Sequence, residues 1–157
     1  AMTGWRLGYA AGLRQIIKSA GRIQSHTTSC VNSMTQKAAL VALTENDGSI
    51  EKMRKEFEKR RNFLVSEFNK IDNIKCNIPK GAFYAMPNIS YYLHHNTKKI
   101  KNSIDFCEYL LKENHIAIVP GSAFGADNYV RFSYANSMEN IKEGLKRFET
   151  GLKSLSK

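Results

Sequence analysis

The chain has 157 residues, 42% hydrophobic and 24% charged, with a net charge of +10. That length and composition suffice for a globular core without disulfide staples, and no apolar run approaches the length of a membrane-spanning helix. The lysines spread along amphipathic segments instead of gathering with aromatics, which argues against a nucleic-acid partner and for a solvated surface; the densest cluster is Lys98-Lys99-Ile100-Lys101. Cys30, Cys76 and Cys107 are odd in number and lack metal-like spacing, so reduced thiols and a cytoplasmic setting are expected.

In chain order, residues 5–10 suit a short buried strand and residues 14–24 a helix with Ile16, Ile17 and Ile23 on its apolar face. The polar run Ser25-His26-Thr27-Thr28-Ser29 reads as a loop. Val31, Met34, Ala38 and Val41 recur at helical spacing, giving a second helix that ends near Thr44. Asn46-Asp47-Gly48-Ser49 is a turn in which Asp47 or Ser49 can cap the longest helix, over 50–71, with the apolar stripe Met53, Phe57, Leu64, Phe68 and Ile71.

Beyond Asn73 the pattern changes to short strands, at 74–78, 82–86, 117–119 and 129–134, with a helix over 103–113. Asn136-x-x-Glu139 resembles a capping box for a final helix striped by Ile141, Leu145, Phe148, Leu152 and Leu155. Helices alternating with short strands indicate an α/β or α+β layer structure.

Two arginines stand out. Arg6 follows a Thr-Gly turn signal, and a structural salt bridge is its default reading. Arg131 lies within Tyr129-Val130-Arg131-Phe132-Ser133-Tyr134, where a guanidinium on a half-buried strand needs an anion or several acceptors. Its planar fork matches a carboxylate, whether of a small substrate or of an internal Asp or Glu. The pair His94-His95 has no evident carboxylate partner and is expected on the surface.

Four blocks in order then carry a resemblance: Ala1-Met2-Thr3-Gly4-Trp5-Arg6-Leu7-Gly8-Tyr9, Gly81-Ala82-Phe83-Tyr84, Val119-Pro120-Gly121-Ser122-Ala123-Phe124-Gly125 and Val130-Arg131-Phe132-Ser133-Tyr134-Ala135. Together they resemble the class I (fold-type-I) aminotransferases of the aspartate aminotransferase-like branch, which use pyridoxal phosphate (PLP). In that family the first block follows Ser-Lys-x-Tyr, whose lysine binds the cofactor.

The resemblance implies the C-terminal portion of a fold-type-I α/β enzyme starting just after that lysine. Residues 1–45 would be the tail of the large domain, and residues 46–157 the bridging helix and small domain. It implies a cofactor-phosphate contact for Arg6, a clamp on the substrate α-carboxylate for Arg131, and substrate-proximal positions for Gly81 and Phe83. The loop Ser25 to Ser29 resembles a segment that reaches the neighbouring subunit. No residue here takes a catalytic role, because the lysine and the groups cradling the PLP ring lie upstream in the family.

The implied activity is amino transfer from L-aspartate to 2-oxoglutarate by a homodimer, with amino acids and 2-oxo acids as partners and no nucleic acid or membrane. This chain alone would be inactive. The alternatives are a prephenate or alanine aminotransferase, or a non-catalytic dimerisation or regulatory module. Without the rest of the large domain, Trp5, Leu7 and Tyr9 would lack burial partners, so this end would associate, rearrange or be only partly ordered.

Overall fold

The computed structural model describes residues 3–45, 47–98 and 100–155. Ala1 and Met2 of the opening block, Asn46 of the expected turn and Lys99 of the basic cluster lie outside the described residues. The chain divides into two units, Ala1–Ile50 and Glu51–Lys157. No described helix is long and apolar enough to cross a membrane.

The first unit has a 3₁₀ turn, Thr3–Trp5, and the helices α1, Arg14–Thr27, and α2, Ser33–Thr44. The strand expected over 5–10 is absent. Arg6 closes the 3₁₀ turn, its N–H donating to the Thr3 carbonyl at 3.3 Å, and its φ of 52° is left-handed, not extended. The residues that follow meet no described strand to pair with. Trp5 is 53% and Tyr9 79% exposed, so neither is buried in this chain, while Leu7 is half-buried.

The loop expected from Ser25 is also corrected, since α1 continues to Thr27. The hydroxyls of Ser25 and Thr27 donate back to the carbonyls of Arg22 and Ile23, so these residues sit in the helix without breaking it. Ser29, at φ 60°, ends the run. Asn32 caps α2 by accepting from the N–H of Met34 at 2.8 Å. Its buried positions are Thr35 and Ala39, one step round from the expected stripe, and Met34 is 72% exposed. The run Ala38-Ala39-Leu40-Val41-Ala42-Leu43 is apolar on every face, so spacing alone could not select one.

The helix α3, Ser49–Phe68, starts where the Asp47 carboxylate accepts from the N–H of Ser49 at 2.9 Å. It tightens into i→i+3 turns after Phe68, with Lys70 N–H on the Glu67 carbonyl and Ile71 N–H on that of Phe68, and so stops short of Ile71.

The second unit continues with β1, Tyr84–Ala85; α4, Ser90–His94; α5, Ser103–Asn114; β2, Val119–Pro120; β3, Val130–Ser133; and α6, Met138–Leu155. The strands form an antiparallel sheet in the order β1-β3-β2, with Tyr84 opposite Ser133, Ala85 opposite Phe132 and Val119 opposite Arg131. All three strands are shorter than expected. The strand anticipated over 74–78 reduces to one bridge, Lys75 with Asn88, for a local reason. The Asn69 side chain accepts the N–H of Cys76 and donates to the Cys76 carbonyl, occupying the groups a neighbouring strand would use.

Four rings knit this unit. Phe68 of α3 meets Phe132 of β3 at 4.9 Å and Phe148 of α6 at 5.7 Å, and Phe148 also meets Phe132 and Phe106 of α5, all edge to face. All five expected positions of the α6 stripe are buried. Its cap lies one residue later than expected: the Ser137 hydroxyl, not Asn136, accepts from the N–H of Asn140 at 3.2 Å. Cys76 and Cys107 are buried, and burial pushes their thiols up to about 11 and about 12. The exposed His94 ends the unforeseen helix α4, and exposed His95 stacks on Tyr91 at 4.5 Å, so this pair is superficial as expected, though on a helix end and not an extended segment.

Two glycines of α6 separate packing from propensity. A Cβ on Gly151 would stand 2.5 Å from Leu110 Cδ2 and 2.7 Å from Asn114 Oδ1, whereas one on Gly144 would meet nothing within 4 Å. Gly151→Ala should destabilise by about 1–3 kcal/mol through overpacking, and Gly144→Ala should stabilise by roughly 0.5–1 kcal/mol through helix propensity. Urea midpoints moving in opposite directions would show this.

Candidate functional site

The alternation along β3 builds the site. Val130 and Phe132 are buried in the core, which turns Arg131 and Ser133 to the other face. Tyr84, opposite Ser133, shares that face from β1 on one side. On the other side β2 runs into a 3₁₀ turn, Gly121–Phe124, that carries Phe124. The Arg131 guanidinium carbon lies 4.2 Å from the Tyr84 ring centroid and 4.6 Å from that of Phe124. Arg131 is half-buried and forms no ion pair with any described acid. Of the two anions the sequence left open, the internal Asp or Glu is therefore not found among the described residues.

The Phe124 turn is fixed by a polar anchor. The Ser103 hydroxyl, fully buried at the start of α5, accepts from the Ser122 N–H at 3.1 Å and donates to Asp127 Oδ1 at 2.6 Å, while the Ser103 N–H donates to the same oxygen at 2.9 Å. Gly121 lies at the tightest point: a Cβ there would stand 2.1 Å from the Ala126 oxygen and 2.3 Å from that of Tyr129. Gly125 ends the turn with φ 70°.

Phe83 and Gly81 occupy the turn before β1. The Tyr134 N–H donates to the Phe83 carbonyl at 2.9 Å and its hydroxyl to the Ala82 carbonyl at 3.0 Å. The Phe83 ring packs on Tyr84 at 4.5 Å and on Phe57 at 6.2 Å, placing it one ring away from Arg131. Gly81 lines a cleft of about 330 Å³ with Arg54, Arg61 and Tyr134. Arg54 is already held by Glu51 and Glu58 and Arg61 by Glu58, so these cations are not open to a ligand as Arg131 is. An added Cβ on Gly81 meets nothing within 4 Å, so no steric demand for glycine arises there.

Arg6 belongs to the first unit. It is exposed, forms no ion pair with a described acid, and borders a hollow of about 360 Å³ with Thr3, Leu7 and Gly8. The salt bridge expected by default is thus not formed among the described residues. Sequence reasoning placed Tyr84 and Phe124 inside its motif blocks without assigning them to Arg131. It missed the Ser103–Asp127 anchor, whose partners are 24 residues apart and carry no local signal.

Residues 1–148 match the family model for aminotransferase class I and II, and the chain belongs to that family, whose membership implies PLP as cofactor. Among its relatives, an aspartate aminotransferase of Rhizobium meliloti is 42% identical over 99% of this chain, and an aspartate/prephenate aminotransferase of Nitrosomonas europaea is 43% identical over 94%. The crystal structure of the Rhizobium meliloti enzyme superposes with a TM-score of 0.91 over 99% of this chain, and that of an aspartate aminotransferase of Thermotoga maritima with 0.84 over 98% at 40% identity. The fold is thus that of part of a fold-type-I α/β enzyme. The chain spans 39% and 38% of the length of the two curated relatives.

The Ser103 hydroxyl, then its N–H, hold the Asp127 carboxyl below the ordinary carboxylate value. A folded pKa below the unfolded one, about 3.9, means the contact stabilises the fold above that value and is lost as pH falls through the folded value. Asp127→Asn should therefore lower the Tm at pH 7. Thermal melts should show that deficit shrinking as pH drops below about 5.

Proposed function

We propose that this chain supplies the substrate-carboxylate clamp and one phosphate contact of a PLP-dependent aminotransferase acting on L-aspartate and 2-oxoglutarate. The observation that carries the reading is Arg131, a half-buried guanidinium without a described acidic partner, held against two rings in a chain of this family. The names of the Rhizobium meliloti and Nitrosomonas europaea relatives support aspartate as a substrate, and the second keeps a prephenate aminotransferase open as the alternative.

In this reading Arg131 binds the substrate α-carboxylate through two parallel N–H donors and fixes the orientation of the Cα–H bond. Arg6 donates to the cofactor phosphate. Phe83 and Gly81 border the substrate from the turn before β1. When bound, PLP supplies the electron sink that makes amino transfer feasible. Residues 1–45 are assigned to the large domain and 46–157 to the bridging helix and small domain. We further assign a homodimer and a cytoplasmic setting; the three free thiols suit a reducing compartment. Because the chain spans 39% of its Rhizobium meliloti relative, we propose that by itself it does not complete the reaction.

A chimera tests this. This chain replaces the matching 39% of the Rhizobium meliloti enzyme, and transfer from L-aspartate to 2-oxoglutarate is assayed. The chimera should be active, and Arg131→Lys should lower kcat/KM on the order of 10²-fold, since an ammonium cannot reproduce the bidentate fork. A chimera that binds PLP and works equally well with Arg131→Lys would refute the clamp.

A further inference from the structure

We infer that Tyr84 and Phe124 are positioning residues: their rings hold the Arg131 guanidinium in place before any ligand arrives, without taking up its N–H donors. The inference deepens the clamp reading and rests on it for its functional meaning, but its geometry stands independently.

An arginine side chain ordinarily loses considerable rotamer freedom when it engages a ligand. Arg131 has little described polar restraint to reduce that freedom, since it forms no ion pair with a described acid. Its described side-chain contacts are with two rings, at 4.2 Å and 4.6 Å from the guanidinium carbon. A ring attracts a cation over its face, and attraction from both flanks opposes rotation out of the plane. Neither ring consumes an in-plane N–H donor, as an internal carboxylate would. The group is thus ordered without being neutralised, which is what a binding cation needs and a structural salt bridge cannot provide.

Both rings are themselves fixed. Tyr84 lies in β1, bonded in register with β3 opposite Ser133, and its ring is backed by Phe83, which in turn packs on Phe57 of α3. Phe124 sits in the turn locked by Gly121, by the Gly125 N–H on the Ser122 carbonyl and by the Ser103–Asp127 anchor. Phe124 is nevertheless 49% exposed and outside the core cluster. A half-exposed aromatic on a rigid turn contributes little to core packing, so its contact with Arg131 is the more informative use of that side chain. A guanidinium flanked by rings, with its donors not paired to a described acid, favours a ligand group with two coplanar oxygens, a carboxylate.

The test is the motion of the Arg131 Nε–Hε bond, measured by ¹⁵N relaxation on the ligand-free 157-residue chain. The expected order parameter is near that of rigid backbone, about 0.85, falling below about 0.6 in Phe124→Leu and in Tyr84→Leu. Phe124→Trp and Tyr84→Phe should restore it, because the ring and not the hydroxyl does the holding. Retained amide shifts for Phe68, Phe132 and Phe148 would show that each leucine variant keeps its core. A mobile Arg131 in the unmodified chain, or one equally rigid in both leucine variants, would overturn the inference. Either outcome would leave the clamp itself standing, because the chimera with Arg131→Lys tests the clamp separately. If a leucine variant loses its core shifts, the Trp and Phe variants decide: replacement rings that leave Arg131 mobile in a folded chain would equally overturn it.

Discussion

The second unit depends on the two-sidedness of β3. Its inward residues, Val130 and Phe132, are buried in the core, Phe132 against Phe68 and Phe148, so the strand cannot slip by one residue without moving these side chains to solvent and Arg131 into the aromatic core. That penalty fixes register, and register fixes where the guanidinium emerges. A four-residue strand pinned by edge-to-face rings thereby acts as a rigid mount for a cation on its opposite face.

Around that mount, polar interactions divide into those that shape the site and those that merely decorate the surface. The pairs Arg147–Glu143, Lys153–Glu149 and Lys112–Glu108 are exposed i,i+4 contacts on helices, where solvent screening leaves them little weight in stability. They tie Arg147, Lys153 and Lys112 to carboxylates of their own helices and do not reach the site. The Ser103–Asp127 anchor differs because it joins segments distant in sequence and places Phe124. Gly121 does the same by sterics, letting two backbone carbonyls approach where a side chain would stand.

Much of this was legible in the residues. The α6 stripe is buried at every expected position because a long amphipathic helix repeats its signal over five turns. Arg131 was singled out because a cation on an alternating strand is chemically conspicuous. The failures share a cause: short elements are decided by partners that local patterns do not contain. Cys76 looks strand-like until the Asn69 side chain claims its backbone groups. Residues 5–10 look strand-like until Arg6 turns left-handed and no described strand pairs with them. The Tyr84–Arg131–Phe124 arrangement was beyond reach for the same reason, since it requires the strand order β1-β3-β2.

The central claim is that Arg131 is an ordered, unneutralised cation awaiting a carboxylate. A crystal structure of the active chimera with L-aspartate bound addresses it most directly. The expected result is a substrate carboxylate coplanar with the Arg131 guanidinium, two N–O contacts of about 2.8 Å, and the rings of Tyr84 and Phe124 unmoved. An Arg131 turned away to pair with a protein carboxylate, with the substrate held by other groups, would contradict it.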